Sequence, residues 1–235
     1  MNPYNQYPTQ QGTYQVAADS NAFLRKVYAF MAAGLLATAA TSTVVVSNET
    51  LMHAILGNPI VFYGLIIAEL GMVLAFSALA KRLSAPAAAA LFFGYAVLNG
   101  VTLSVIFLAY TASSIGSTFF VTAGTFGAIS AYGYATKRDL SGLGSFAMMG
   151  LIGLVIASVV NLFLHSTMSY WLTTFVGVIV FTGLTAYDTQ KLKRFAGEVS
   201  PADQSKVALQ GALMLYLDFI NLFLMLLRLL GDRRR

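Results

Sequence analysis

Seven apolar runs follow one another along this chain, at 27–46, 60–80, 86–109, 115–135, 143–164, 170–189 and 207–230, with short connections between them. At 1.5 Å of rise per helical residue, each is long enough to cross a ~30 Å hydrocarbon core. A chain patterned this way folds in lipid, because water offers no way to hide so much apolar surface. Composition agrees: 57% of the 235 residues are hydrophobic and 10% are charged, against about 25% charged in ordinary globular domains. A soluble enzyme is excluded on this ground, and so is a disordered chain.

The connections carry turn residues: Ser47-Asn48, Gly57-Asn58-Pro59, Ser84-Ala85-Pro86, Ser141-Gly142 and Ser200-Pro201. Within the runs, small residues recur at four-residue spacing, as in Gly124/Ala128 and Gly127/Ala131. Such pairs are expected to form faces that let membrane helices approach closely. A transmembrane barrel would need ~10-residue segments alternating apolar and polar, a pattern this sequence lacks. The expected fold is all-α, a single seven-helix transmembrane domain over residues 21–235. Residues 1–20, rich in Gln, Tyr, Asn and Pro with one charge at Asp19, read as a disordered tail. A secretory signal would run from a basic start straight into an apolar core, so the first span is expected to be retained.

Charge placement sets the orientation. The net charge is +5, but the cations form short clusters between apolar runs rather than one face on a soluble scaffold, so a nucleic-acid partner is not expected. Arg25, Lys26, Lys81, Arg82, Lys137, Arg138, Lys191, Lys193, Arg194 and Lys206 all lie before the first run or after an even-numbered one. The positive-inside rule then puts the N-terminus in the cytoplasm. Arg228 and Arg233-Arg234-Arg235 are the exception: seven crossings leave them outside, whereas a re-entrant last run would return them.

With no cysteine and with His53 and His165 far apart in sequence, thiolate catalysis, disulfides and a histidine metal site are not expected. Phosphate-binding loops, zinc-protease motifs and nucleophile elbows are absent from the sequence. What stands out is acidic. Glu69, Asp188 and Asp218 lie inside apolar runs, where an ionisable group costs ~2.5–3.5 kcal/mol even on the lenient insertion scale. No basic residue lies near the middle of any run, so the embedded charge suits a cation or proton path.

Asp188 and Asp218 both fall in the half of the membrane nearer the basic loops, on consecutive spans. Two carboxylates in contact do not both ionise cheaply, so such a pair shares a proton; fully ionised, it is a hard-oxygen site suited to transient Ca²⁺. Plainer readings stand beside this one. Asp188 lies one turn from Lys191 and would pair with it; Asp218 has Asn221 three residues on as a hydrogen-bond partner. Glu69, ~18 Å from Lys81 along a helix, is either a second station on an ion path, with Asn221, or a protonated packing residue. Asn99, Thr102 and Asn161 read as interhelical glue. An intramembrane aspartyl protease would also pair two Asp, but the surroundings here, AYDT and YLDF, lack its glycine-rich signature. No enzymatic activity is expected.

Four ordered stretches carry a family resemblance: GVTLSVIFLAYT (100–111), TFGAISAYGYATKRDLSGLG (125–144), TAYDTQKLK (185–193) and ALMLYLDFINLFLMLLRLLG (212–231). Together they resemble the Bax inhibitor-1, or transmembrane Bax inhibitor motif, family from about residue 21 onward. The resemblance implies seven helices with the last one central, an N-terminus in the cytoplasm, and a pH-sensitive Ca²⁺ leak gated by a carboxylate pair at Asp188 and Asp218. It implies a basic latch at the end of the second helix, Arg82 or Lys81, and places the family's second-helix glutamate at Glu69. Family members are also described as cell-death suppressors and, in bacteria, as modulators of a membrane protease. The expected partners are thus membrane lipid, Ca²⁺ and H⁺, with no cofactor other than Ca²⁺ as permeant ion. The alternatives are a non-transporting regulator of a membrane protease and a proton-coupled transporter. Compact loops without an organellar sorting signal point to a bacterial cytoplasmic membrane.

Overall fold

The computed structural model describes residues 10–80, 82–197, 199–200 and 202–234, with residues 10–19 and 56 by backbone alone. Among these, the elements in chain order are α1 (Gln10–Ser47), α2 (Glu49–Leu56), α3 (Pro59–Leu79), α4 (Ala85–Leu103), α5 (Ile106–Ala109), α6 (Ala112–Ala135), α7 (Ser141–Leu164), α8 (Thr167–Ala196) and α9 (Gln204–Leu230). No strand occurs among the described residues; one isolated bridge joins Tyr110 to Arg233.

Three of the turn residues read from sequence, Asn48, Asn58 and Ser84, act as caps, as do Thr111 and Ser166. Each accepts a backbone N–H of the following helix, satisfying donors that a helix start otherwise leaves unpaired. Boundaries differ from expectation in three places. Residues 10–20, read as tail, continue α1 toward the N-terminus; past Pro8 nothing in QQGTYQVAADS breaks a helix, while residues 1–9 lie outside the described ones. The run 86–109 is divided by a turn at Ser104-Val105 into α4 and α5. α8 extends well past 189, to Ala196, ending on basic Lys193 and Arg194, which suit a helix C-terminus.

Seven of these helices are long enough to span a bilayer, and six are also strongly apolar. The seventh, α6, is rich in Ser and Thr because its inward ridge is polar: Ser114, Thr118, Thr122, Phe126 and Ser130 recur every fourth residue and are buried. The opposite face holds Phe120, 76% exposed. That rotation corrects one expectation. Gly124 and Gly127 face open space, with nothing within 4 Å of an added Cβ, and Gly133 makes the close approach, where a Cβ would overlap the backbone carbonyl oxygen of Ala186 on α8.

The last helix is central. Burial runs around nearly its whole circumference, through Ala208, Leu209, Ala212, Leu215, Tyr216, Phe219, Leu222 and Phe223, and it packs against α1, α4, α6 and α8. Its beginning lies at the basic end of the bundle, where Gln210 Nε2 donates to the Ala80 carbonyl at 2.7 Å. Its end lies against the opposite end, where the 109–111 segment bonds to the chain after α9: Thr111 N–H to Asp232 O and Arg234 N–H to Ala109 O. The last run is therefore a full crossing, not re-entrant, and Arg228, Arg233 and Arg234 sit at the end away from the other cations.

The loop charges predict which end faces the cytoplasm, an expectation open to direct test. With no native thiol, a cysteine beside Lys137 is expected to resist impermeant maleimide added to intact cells and to react after permeabilisation. External labelling would reverse the orientation.

Candidate functional site

Asp188 and Asp218 meet. Asp188 is on α8 and Asp218 on α9, the two most extensively buried helices; their residues are 8% and 5% exposed. The carboxyl groups lie in hydrogen-bonding contact with each other. Asp218 Oδ2 is buried and finds no donor among the described residues, an arrangement that costs free energy unless something fills it.

The plainer partners go elsewhere. Asn221 Nδ2 donates to the Leu217 carbonyl at 2.8 Å, its own preceding turn, and not to Asp218. Lys191 Nζ lies 5.8 Å from the Tyr187 ring and 5.9 Å from the Phe195 ring; the ion pairs among the described residues are Arg194–Asp139 and Lys206–Asp203. Neither involves Asp188. Of the two latch candidates, Arg82 is exposed in the turn after α3 and forms no ion pair with either aspartate. Lys81 lies outside the described residues.

The α8 side of the pair is held by a loop clamp. Gln190 Nε2 donates to the Arg138 carbonyl at 2.8 Å, and its Oε1 accepts from Leu140 N at 2.9 Å and from Arg194 Nη2 at 2.8 Å. Arg194 also reaches Asp139 Oδ1 at 2.6 Å. The 136–140 loop is thereby tied to the turn of α8 that follows Asp188. On the other side, Tyr28 OH lies 3.4 Å from Thr189 Oγ1, which brings α1 to the same turn.

Arg194 and Ser141 together hold the Asp139 carboxyl down at about 2. A depressed folded-state value means that the stabilisation is fully present above the unfolded value near 3.9 and is lost as pH falls through about 2. Arg194→Gln is expected to return the Asp139 titration toward about 3.9, read from the carboxyl carbon by NMR. An unmoved midpoint would disconnect the clamp from this loop.

Glu69 is not isolated. Thr102 Oγ1 donates to its Oε1 at 2.5 Å and Asn99 Nδ2 to its Oε2 at 3.3 Å. Asn99 Oδ1 in turn accepts from Tyr216 OH at 3.0 Å, and Tyr216 OH meets Thr38 Oγ1 at 2.6 Å. A polar chain thus crosses from α3 through α4 and α9 to α1. These hydrogen bonds offset part of the ~2.5–3.5 kcal/mol cost of an acidic side chain at membrane depth. Glu69 and Asn221 line one cavity of about 790 Å³ between α3, α4 and α9. The aspartates are absent from its wall. Asn161, read as interhelical glue, instead caps the α8 entry through Ser166 N.

Sequence reading missed Tyr216, Thr38 and Gln190. Tyr216 and Gln190 each stand two residues from a paired aspartate, which was the available signal; Thr38, in a run of Ala, Gly and Thr, gave none.

Residues 20–235 match the family described as "Inhibitor of apoptosis-promoting Bax1". The chain belongs to the Bax inhibitor-1 family. It is 49% identical over 233 residues to "Inner membrane protein YbhL" of Escherichia coli (strain K12), covering 98% of this chain and 100% of that protein. An uncharacterized protein of Borreliella burgdorferi is 45% identical over 216 residues, 91% of this chain and 93% of the relative. A further uncharacterized protein, from Rickettsia prowazekii, is 45% identical over 216 residues, 90% of each chain. This Bax inhibitor-1 family member is an integral membrane protein, and its family and these relatives are described without reference to an enzyme.

Proposed function

We propose that this protein is a pH-sensitive Ca²⁺ leak of a bacterial inner membrane, N-terminus in the cytoplasm, gated by a proton shared between Asp188 and Asp218. The observation that carries this reading is the contact of two buried carboxyl groups, one with an oxygen that no described donor reaches. A proton between them supplies the missing donor and joins α8 to α9. Removing it leaves two adjacent negative charges, which separate the helices and offer hard oxygen ligands to a passing Ca²⁺. No cluster of three or more His, Cys, Asp or Glu side chains occurs among the described residues, so Ca²⁺ is cargo in this reading. Transit past a two-carboxylate site requires that binding be weak enough to release the ion.

Glu69, within the cavity it shares with Asn221, is a second station toward the opposite end. Arg82 forms no ion pair with either aspartate, and this reading does not rely on a latch. The deciding experiment reconstitutes the full chain in liposomes loaded with a Ca²⁺ dye. Flux that rises with pH supports the leak; flux that follows an imposed proton gradient identifies a proton-coupled transporter. Flux no greater than in empty vesicles at every pH overturns the proposal in favour of a non-transporting regulator.

A further inference from the structure

At the end of the bundle away from the basic loops, α7, α8, α9 and the segment after α9 enclose a cavity of about 710 Å³. Its wall includes His165, Tyr170, Trp171, Arg228 and Arg233. The two guanidinium groups converge on one ring: Arg228 Cζ lies 5.3 Å and Arg233 Cζ 5.7 Å from the Tyr170 centroid. Arg233 Nη2 also donates to Tyr170 OH at 3.1 Å. The backbone bonds at Thr111 and Arg234 fix this segment in place. Its one acid, Asp232, turns toward α6, where its N–H donates to Ser114 Oγ at 3.0 Å and its carboxylate accepts from the same hydroxyl.

Neither guanidinium has a carboxylate within 4 Å among the described residues. Two like charges gathered on one ring without a counter-charge among the described residues are in repulsion, which an anion between them relieves. These are the arginines that break the charge asymmetry of the loops, so the orientation rule gives no reason for them. The aspartate site gives none either.

The lipid side of the cavity identifies the anion. Leu162 and Trp171 line it and are 66% and 40% exposed. The Trp171 ring lies 6.3 Å from that of Phe175, one turn further into the span and 57% exposed. The cavity wall thus meets an exposed apolar strip at Trp171, with Tyr and Trp at the junction where membrane proteins place them. We propose that this cavity seats the headgroup of an anionic phospholipid, its phosphate between Arg228 and Arg233 and an acyl chain along Trp171 and Phe175. Arginine forks match phosphate oxygens. A zwitterionic lipid would bring its own cation toward two arginines, and a soluble phosphate would leave the apolar strip unused.

Trp171 is the sole tryptophan of the chain, so it reports this site alone. The full chain is placed in phosphatidylcholine nanodiscs containing a minor fraction of phosphatidylglycerol with brominated acyl chains, or the same fraction of brominated phosphatidylcholine. The brominated anionic lipid is expected to quench Trp171 at a mole fraction on the order of tenfold lower. Arg228→Gln and Arg233→Gln are each expected to reduce that preference severalfold, and the double substitution to abolish it. The double lysine variant, Arg228→Lys with Arg233→Lys, is expected to restore most of it, which separates charge loss from misfolding. Equal quenching by the two lipids overturns the proposal, as does a preference that survives the double glutamine variant. Reversal of quenching by added inorganic phosphate also overturns it, since the site would then take a soluble anion.

Discussion

Asp188→Asn and Asp218→Asn are each expected to flatten the pH dependence of Ca²⁺ flux measured across about pH 6 to 8. In the intact pair, rising pH removes the shared proton, and two unit negative charges then face each other. At ~4 Å and an effective dielectric near 20, their repulsion is about 4 kcal/mol. A hundredfold change in open population needs only ~2.7 kcal/mol, at 1.36 kcal/mol per factor of ten, so repulsion is large enough to drive opening. Asparagine keeps the shape and the hydrogen bonding but removes one titrating group. The double variant is accordingly expected to add little to either single, because both remove the same coupled unit. Midpoint and slope unchanged in both single variants would remove the pair from gating.

The second large effect is expected at Gly133. A Cβ there would overlap the Ala186 carbonyl oxygen and lie 3.0 Å from the carbonyl carbon. Backbone cannot swing aside as a side-chain tip does, so α6 and α8 must part for any larger residue. Gly133→Leu is expected to destabilise the bundle by about 3 kcal/mol, at the upper end of ordinary overpacking. Gly124→Leu on the same helix, where nothing lies within 4 Å, is the matched control and should leave the thermal midpoint in detergent within error. Equal midpoints for both variants would contradict this packing of α6 on α8. Ala186 is two residues from Asp188, so protein that survives the Gly133 change should also carry an altered pH response.

The seven spans, the all-α class and the family were legible in the sequence because lipid imposes them locally. A segment either is long and apolar enough to satisfy its own backbone across the bilayer or it is not. Basic loops mark one end by the same local logic, and three acidic residues stand out against apolar neighbours without reference to any fold. Sequence could also bring Asp188 and Asp218 to similar depth on consecutive helices. What it could not supply is rotation. Whether Asp218 turns toward Asp188 or Asn221, whether Gly124 or Gly133 makes the close approach, and whether Arg82 reaches the pair all depend on how each helix is turned about its axis. That turn is fixed by contacts among residues far apart in the chain, as where Tyr216 meets Thr38 and Asn99. The arginines at and beyond the end of α9 show the same division: their charge is plain in the sequence, but only packing gathers Arg228 and Arg233 onto Tyr170, because α8 begins where α9 ends.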